Sequence, residues 1–433
     1  MQTRSGWGNN PRIQSRVFDL QDRKQLAGHI DSTDSLIAYG NGRSYGDSAL
    51  WEDLVDTKRH KFFLAFDEEK GSLTVQAGCM LSDILQVFVP RGWFLKVSPG
   101  TKLITVGGAI ASDVHGKNHH IEGCFSECVE ELTLMQEQGK TVVCSRDQDP
   151  DLFRATCGGQ GLTGIILEAK ITLKRIESSS LSVCTYKTDS LQETFKIFEQ
   201  QAQADYSVAW IDCLASGTAL GRAHVSTGEF KTDQNLSYAP RRRLSLPFFL
   251  PRFVLNSLTV KVFNVLYYHR QLRTVKKSSA SLDSFFYPLD SIAHWNRAYG
   301  KQGFVQYQVI FPLQHSYVGL QQVLGKIATA KKGSFLAVLK LHGEENDNYL
   351  SFPLKGYSLA LDFKYEKSVF ALLDDLDKVV VANGGRTYLA KDSRVSKEVF
   401  EQGYPAIKRF RALRQERNLQ HKFRSLQSQR LEL

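Results

Sequence analysis

Two glycine-rich runs constrain this chain more than any other feature. The first is Ala38-Tyr39-Gly40-Asn41-Gly42-Arg43-Ser44-Tyr45-Gly46-Asp47-Ser48. The second is Thr105-Val106-Gly107-Gly108-Ala109-Ile110-Ala111-Ser112-Asp113-Val114-His115-Gly116-Lys117-Asn118-His119-His120. A β-like segment lies upstream of each, Ser35-Leu36-Ile37 for the first and Gly92 to Val97 for the second. Glycine admits positive φ and lets backbone N–H groups come close to a ligand. Successive N–H groups in such turns make an anion-binding concavity, and two together are long enough to cradle a diphosphate.

With 433 residues the chain exceeds one compact core, so two domains are expected. Residues 1–175 read as short strands and helices in alternation. Ser72 to Gly78 is strand-like, Leu81 to Val89 places Leu81, Ile84, Leu85 and Phe88 on one helical face, and Leu132–Met135 and Thr141–Cys144 flank a hairpin-like turn. A third glycine cluster, Cys157-Gly158-Gly159-Gln160-Gly161-Leu162-Thr163-Gly164-Ile165-Ile166, runs into a β-like stretch ending at Leu173. Residues 176–385 carry cleanly alternating strands at Phe304–Phe311 and Ser358–Phe363, another at Phe335–Leu341, and helices at Leu191–Ala202, Tyr317–Ala330 and Lys367–Ala382. Strands with one polar face, interleaved with helices, predict a sheet with a working surface. Residues 386–433 form a basic closing segment, helical from Tyr404 to Arg417. The fold class expected is α+β.

The net charge of +10 is concentrated in two places. Lys231 to Lys277 holds ten Lys/Arg against Asp233, and Lys408 onward holds eight against Glu416 and Glu432. This is not the even basic character of a nucleic-acid binder, and no nucleic acid is expected. Within the first patch Val254, Leu255, Leu258, Val262 and Val265 share a helical face, between Arg241-Arg242-Arg243 and Arg270, Arg273, Lys276 and Lys277. That pattern fits an interfacial membrane segment; a solvated loop followed by an ordinary core helix is the competing reading. Pro247, Pro251, Arg252 and Lys261 interrupt it too often for a membrane span. Seven irregularly spaced cysteines read as reduced thiols of a cytoplasmic protein. Met1 to Trp7 has no apolar run, so no secretory signal is expected. His115, His119, His120, Cys124 and Cys128 crowd together, but their order matches no standard zinc module, and no metal is expected.

The three glycine clusters, Phe285-Phe286-Tyr287-Pro288-Leu289-Asp290, Tyr388-Leu389-Ala390-Lys391-Asp392-Ser393-Arg394 and the closing Arg430-Leu431-Glu432-Leu433 resemble the vanillyl-alcohol-oxidase (PCMH-type) flavoproteins. Within them the chain is most similar to the branch that oxidises lipid-phosphoryl ribose. The resemblance implies a PCMH-type FAD domain at 1–175, an antiparallel-sheet substrate domain at 176–385 covering the flavin, and a return to the FAD domain at 386–433. It assigns cofactor contacts to Ala38 through Ser48, Gly100, Thr105, Val106, Gly107, Gly108, Ser112, Asp113, Val114, His115, Ile166 and Tyr388. Relatives that attach FAD covalently often carry histidine where Arg43 stands; arginine cannot make that bond, so non-covalent FAD is expected.

The implied activity is oxidation of the 2′-hydroxyl of a polyprenyl-phosphoryl-β-D-ribose to the ketone. A separate short-chain reductase then completes an epimerisation to the arabinose form used in cell-envelope polysaccharides. Contact with the inner face of the cell membrane would follow. A soluble sugar-alcohol or aldonolactone oxidase is the alternative on the same scaffold, and a flavin-free membrane-binding module a more distant one. Lys391 is expected to place positive charge beside the flavin, where electron density grows on reduction; otherwise it is a surface lysine paired with Asp392. His115 joins it as a candidate catalytic group. Tyr45, Lys117, Tyr287, Gln306, Gln308 and Lys340 are the candidate substrate contacts. Ser358 and Ala360 belong with them, standing where relatives carry asparagine and cysteine. Gln306 and Gln308 share a strand face, which marks either a sugar-binding surface or simple solvation.

Overall fold

The computed structural model describes residues 1–239, 244–251 and 253–433. Arg241, Arg242, Arg243 and Arg252, part of the basic segment singled out above, lie outside the described residues.

Two sheets make the first half. Strands Gln2–Ser5, Arg12–Asp19, Asp53–Asp56 and Ile37–Tyr39 form a four-stranded sheet in that spatial order. The last two pair in parallel, so Ile37–Tyr39 runs straight into the first glycine run at its C-terminal end. A six-stranded antiparallel sheet centres on Ile165–Arg175, which is flanked by Ser72–Gln76 and Val129–Met135. Ile165–Arg175 alternates buried and half-buried residues along most of its length, and Ile166, Ala169, Ile171 and Leu173 join one core with Leu81, Ile84, Leu85 and Phe88 of helix Leu81–Phe88. That helix forms where the apolar spacing predicts it. The expected hairpin pairs Glu131 through Met135 with Ser145 through Thr141.

The third sheet has eight antiparallel strands, from Val275–Ser281 at one edge to Arg386–Thr387 at the other. Side-chain alternation divides its faces. Val305, Tyr307, Val309 and Phe311 point one way with Leu339, Leu359, Leu361 and Phe363, into a core closed by helices Leu191–Gln200, Leu313–Ala330 and Lys367–Ala382. The opposite face carries Gln306, Gln308, Lys340, Ser358 and Ala360, all of which line the large cavity between this sheet and the glycine loops.

The last strand, Arg386–Thr387, belongs to this sheet, and beyond it the chain packs on the first half. Buried Arg414 donates to the Leu162 and Phe423 carbonyls, and Leu36 N–H donates to the Lys422 carbonyl at 2.8 Å. The basic tail is therefore partly internal, its guanidinium groups satisfying carbonyls at the ends of chain segments.

Helix Ser257–His269 is capped by Asn256, whose side chain accepts from the N–H groups of Leu258 and Thr259. It buries Val260, Asn264 and Tyr268, with Asn264 donating to Asp212 and Tyr268 to the Thr188 carbonyl. Its apolar stripe points outward: Leu258 is 69% exposed, Val262 49% and Leu266 66%. No helix among the described residues is long and apolar enough to cross a membrane.

Candidate active site

The two glycine runs dock on each other. Asn41 donates through Nδ2 to the Leu103 carbonyl at 2.8 Å, and a Cβ added at Gly40 would sit 2.5 Å from the Thr105 hydroxyl. Thr105 in turn caps helix Val106–Ala111 by accepting from Gly108 N–H. Gly42 has φ +60, where other residues are strained, and a Cβ there would strike the Tyr39 hydroxyl. Gly40, Asn41, Gly42 and Ser44 all line a cavity of about 1000 Å³. Their N–H groups donate to no backbone carbonyl among the described residues. The third cluster adds Gln160, Gly161, Gly164 and Ile166 to the same wall.

Three lysines reach the cavity, Lys117 from the second glycine run itself and Lys340 and Lys391 from elements facing it. Lys391 sits on the turn Leu389–Lys391. Tyr388 N–H donates to the Gln308 carbonyl at 2.9 Å, Lys391 N–H to the Tyr388 carbonyl at 2.9 Å, and Tyr45 N–H to the Ala390 carbonyl at 2.9 Å, so both walls fix the turn. Lys391 Nζ lies 3.8 Å from the centroid of the Tyr45 ring. Asp392 is not its partner: that carboxylate pairs with Arg430 at 2.9 Å and accepts from the N–H groups of Arg394 and Val395. Lys117 donates to the Phe285 carbonyl and lies 4.3 Å from the Phe285 ring centroid. Lys340 projects from strand Ala337–His342.

The three lysines are half-buried, and the surface they keep lines the cavity. None makes a salt bridge among the described residues. Burial pushes Lys117 down to about 7 and Lys340 down to about 8, each lowering being a direct cost of charge in a weakly polar site. Lys391 is lowered by burial too, with Asp362 opposing the shift. An anion entering the cavity meets three cations whose charge it stabilises.

His115 is buried with Nε2 2.9 Å from Gln308 Nε2, and burial holds its value well below the usual imidazole range. The amide donates, so His115 is neutral and carries its proton on Nδ1. Nδ1 is buried without a protein partner, on a residue that lines the cavity. An unpaired donor, a row of unused backbone N–H groups and glycines whose Cβ positions are filled by neighbouring walls together fit an anionic dinucleotide with a flat polar ring.

Comparison with known proteins agrees. Residues 31–145 match the FAD binding domain family. Decaprenylphosphoryl-β-D-ribose oxidase of Mycolicibacterium smegmatis is 34% identical over 99% of this chain and 97% of its own length. The chain belongs to that oxidase family. It is an FAD-dependent oxidoreductase of the kind that acts on CH–OH groups. Mouse L-gulonolactone oxidase is 32% identical over only 30% of this chain, and D-arabinono-1,4-lactone oxidase of Eremothecium gossypii 28% over 32%.

Against the positions expected of this oxidase family, most candidates line the cavity: Ala38, Arg43, Tyr45, Ser48, Gly100, Thr105, Gly107, Gly108, Ser112, Val114 and Tyr388 among them. Several do not. Tyr287 is 1% exposed, its hydroxyl bonded to the Ser98 hydroxyl, and it belongs to the core; Phe285, Phe286 and Leu289 line the cavity in its place. Asp113 is buried, and its carboxylate accepts from Ser126 N–H, Asn346, Asn348 and Ser351, tying the second glycine run to the loop 343–355. Tyr39 donates to the Ser5 carbonyl, Val106 packs in the core, Gly46 lies against the Asp392 carbonyl, and Asp47 pairs with Arg430. These residues shape the cradle from behind. The clustered histidines and cysteines each have protein partners: His119 pairs with Cys124, His120 with the Ala204 carbonyl, and Cys128 lies in the core.

Two buried side chains escaped the sequence reading. His342 Nε2 is 2.7 Å from the Ser358 hydroxyl, and Asp362 accepts from Gln306 Nε2. Only alternation along their strands hinted that they share the cavity-side face.

Proposed function

We propose that the chain oxidises the 2′-hydroxyl of a polyprenyl-phosphoryl-β-D-ribose to the 2′-keto sugar. The observation that carries this reading is the composition of the wall facing the glycine cradle. It offers the amides Gln306 and Gln308 for sugar hydroxyls beside Lys340 and Lys391, with Lys117 reaching in from the cradle; none of the three makes a salt bridge among the described residues, which suits a phosphorylated sugar better than a neutral polyol. The relative named for that oxidation matches 99% of the chain, whereas the lactone oxidases match under half of it.

FAD, when bound, supplies the hydride acceptor. The protein's own residues do the remainder. Gln306 and Gln308 orient the ribose, with Ser358 and Ala360 shaping the floor beneath it. Lys117 and Lys340 hold the phosphate. Lys391, aligned by the Tyr45 ring, stabilises the negative charge that grows during the reaction, and the enclosed cavity keeps water from screening it. His115 presents its Nδ1 proton to the cofactor.

The test is anaerobic addition of a polyprenyl-phosphoryl ribose, followed by flavin absorbance near about 450 nm. Bleaching is expected. Bleaching with xylitol or an aldonolactone but not with the lipid would replace this reading by the soluble-oxidase alternative. The ketone product requires a reductase that returns hydride to the opposite face of C2′, and a short-chain reductase is the expected partner.

The flavin is held without a covalent bond. Arg43 occupies the position of the histidyl link, and no cysteine is among the residues lining the cavity. Guanidinium denaturation followed by ultrafiltration is expected to pass all of the yellow chromophore through the membrane; colour retained with the chain would overturn this.

The outward stripe of helix Ser257–His269, with exposed Lys261, Arg270, Arg273, Lys276 and Lys277 nearby, docks the enzyme on an anionic lipid surface. Leu258→Asp with Leu266→Asp is expected to reduce co-sedimentation with phosphatidylglycerol vesicles at least about tenfold, because two charges replace inserted side chains. Flavin content should not change. Equal sedimentation of the variant and the parent would exclude this helix as the contact.

A further inference from the structure

The mechanism above uses the charge of Lys391 and leaves one buried acid beside it without a role. Asp362 lies on strand Gly356–Lys364, directly across the ladder from Gln306. It is 2% exposed, and it does not itself line the cavity. Its carboxylate accepts from Gln306 Nε2, and its backbone N–H donates to the Ser334 hydroxyl at 3.1 Å. It forms no salt bridge among the described residues. A carboxylate placed this deep with an amide as its hydrogen-bonding partner is costly unless a nearby cation compensates it.

The groups around the pair are few. Asp362 sits beneath Gln306, which lines both the cavity and a small cleft beside it together with Lys391; the charge of Lys391 acts on Asp362, and that of Asp362 on the phenols of Tyr45 and Tyr299. Lys391 lies over the Tyr45 ring, and Lys340 is the cation among the described residues that acts against its charge. Lys340 opposes the charge on Lys391, and among the described residues Asp362 is the carboxylate that favours it.

We propose that Asp362 is a positioning residue that keeps Lys391 charged, acting through space from beneath Gln306. The inference rests on Lys391 being the charge-bearing residue of the cavity. Burial lowers Lys391 and raises Asp362, and each group's charge offsets the other's. A lysine lowered in this way keeps its charge at low pH and sheds it as pH rises. Removing the carboxylate must move that loss to lower pH.

The experiment uses flavin-loaded protein labelled with ε-13C-lysine, in which the Lys391 signal is identified by its disappearance in Lys391→Arg. In Asp362→Asn the Lys391 amine is expected to titrate about one unit lower or more. The alkaline limb of kcat/KM should move in the same direction, and Asp362→Glu should restore both. A folded, flavin-loaded Asp362→Asn whose Lys391 signal titrates as in the parent would overturn the proposal. Should that variant fail to fold, Gln306→Leu serves instead. Without its amide donor Asp362 favours the neutral form, so the Lys391 titration again moves down, and an unchanged titration counts against the proposal. The amine signal needs no substrate, so its outcome is separate from the identity of the sugar.

Discussion

Lys391→Ala is expected to hold its flavin and lose its turnover. Among the described residues the ammonium group makes no salt bridge, and the turn carrying it is fixed by the backbone bonds of Tyr388, Ala390 and Tyr45, which alanine keeps. The flavin-to-protein ratio and the melting temperature should therefore match the parent. Loss of a pre-placed charge in an enclosed site lowers kcat by roughly 10²–10³-fold. Lys391→Arg should recover only part of this, because a planar guanidinium does not fit a point charge set over the face of Tyr45. Turnover in the alanine variant within about threefold of the parent, on the same scale, would remove Lys391 from the chemistry.

The second large effect is expected from backbone packing alone. A Cβ at Gly46 would lie 1.7 Å from the Asp392 carbonyl oxygen. No side chain can swing aside to relieve that overlap, since both partners are backbone. Gly46→Ala must separate the first glycine run from the loop that carries Lys391, at about 3 kcal/mol or more. The purified protein should be colourless or melt well below the parent. Gly28→Ala is the control: an added Cβ meets nothing within 4 Å on helix Arg23–Ser32, and the exchange should stabilise by roughly 0.5–1 kcal/mol. A yellow Gly46→Ala with parental stability would show that the two loops are not packed as described.

The glycine runs were legible because their function leaves a mark on composition: a backbone that must approach a ligand discards side chains over consecutive positions. The strand Phe304–Pro312 was legible because apolar and polar residues alternate along it, and Gln306 and Gln308 fall on the cavity side as alternation requires. Asp362 sits on an equally regular strand and was passed over. A carboxylate on a polar strand face ordinarily means solvent, and only the position of the cradle shows that this face is enclosed. Tyr287 differs for the converse reason. The resemblance implies a substrate contact there, whereas the chain path through Phe285-Phe286-Tyr287 turns its hydroxyl back to Ser98. The Ser257–His269 helix was found by its apolar spacing, but the spacing alone does not tell an inward stripe from an outward one. Val260, Asn264 and Tyr268, the residues it buries, include a polar amide that sequence reasoning would have placed in water.

Arg430 joins Asp47 at 2.9 Å and Asp392 at 2.9 Å, bridging positions 383 residues apart. A nascent chain that has left the ribosome as far as residue 145 already contains every residue matched by the FAD binding domain family, yet lacks the arginine that latches the rim of the cradle. The rim of the cradle therefore closes only when Arg430 has joined Asp47 and Asp392, and a fragment ending at residue 145 is expected to leave that rim unlatched.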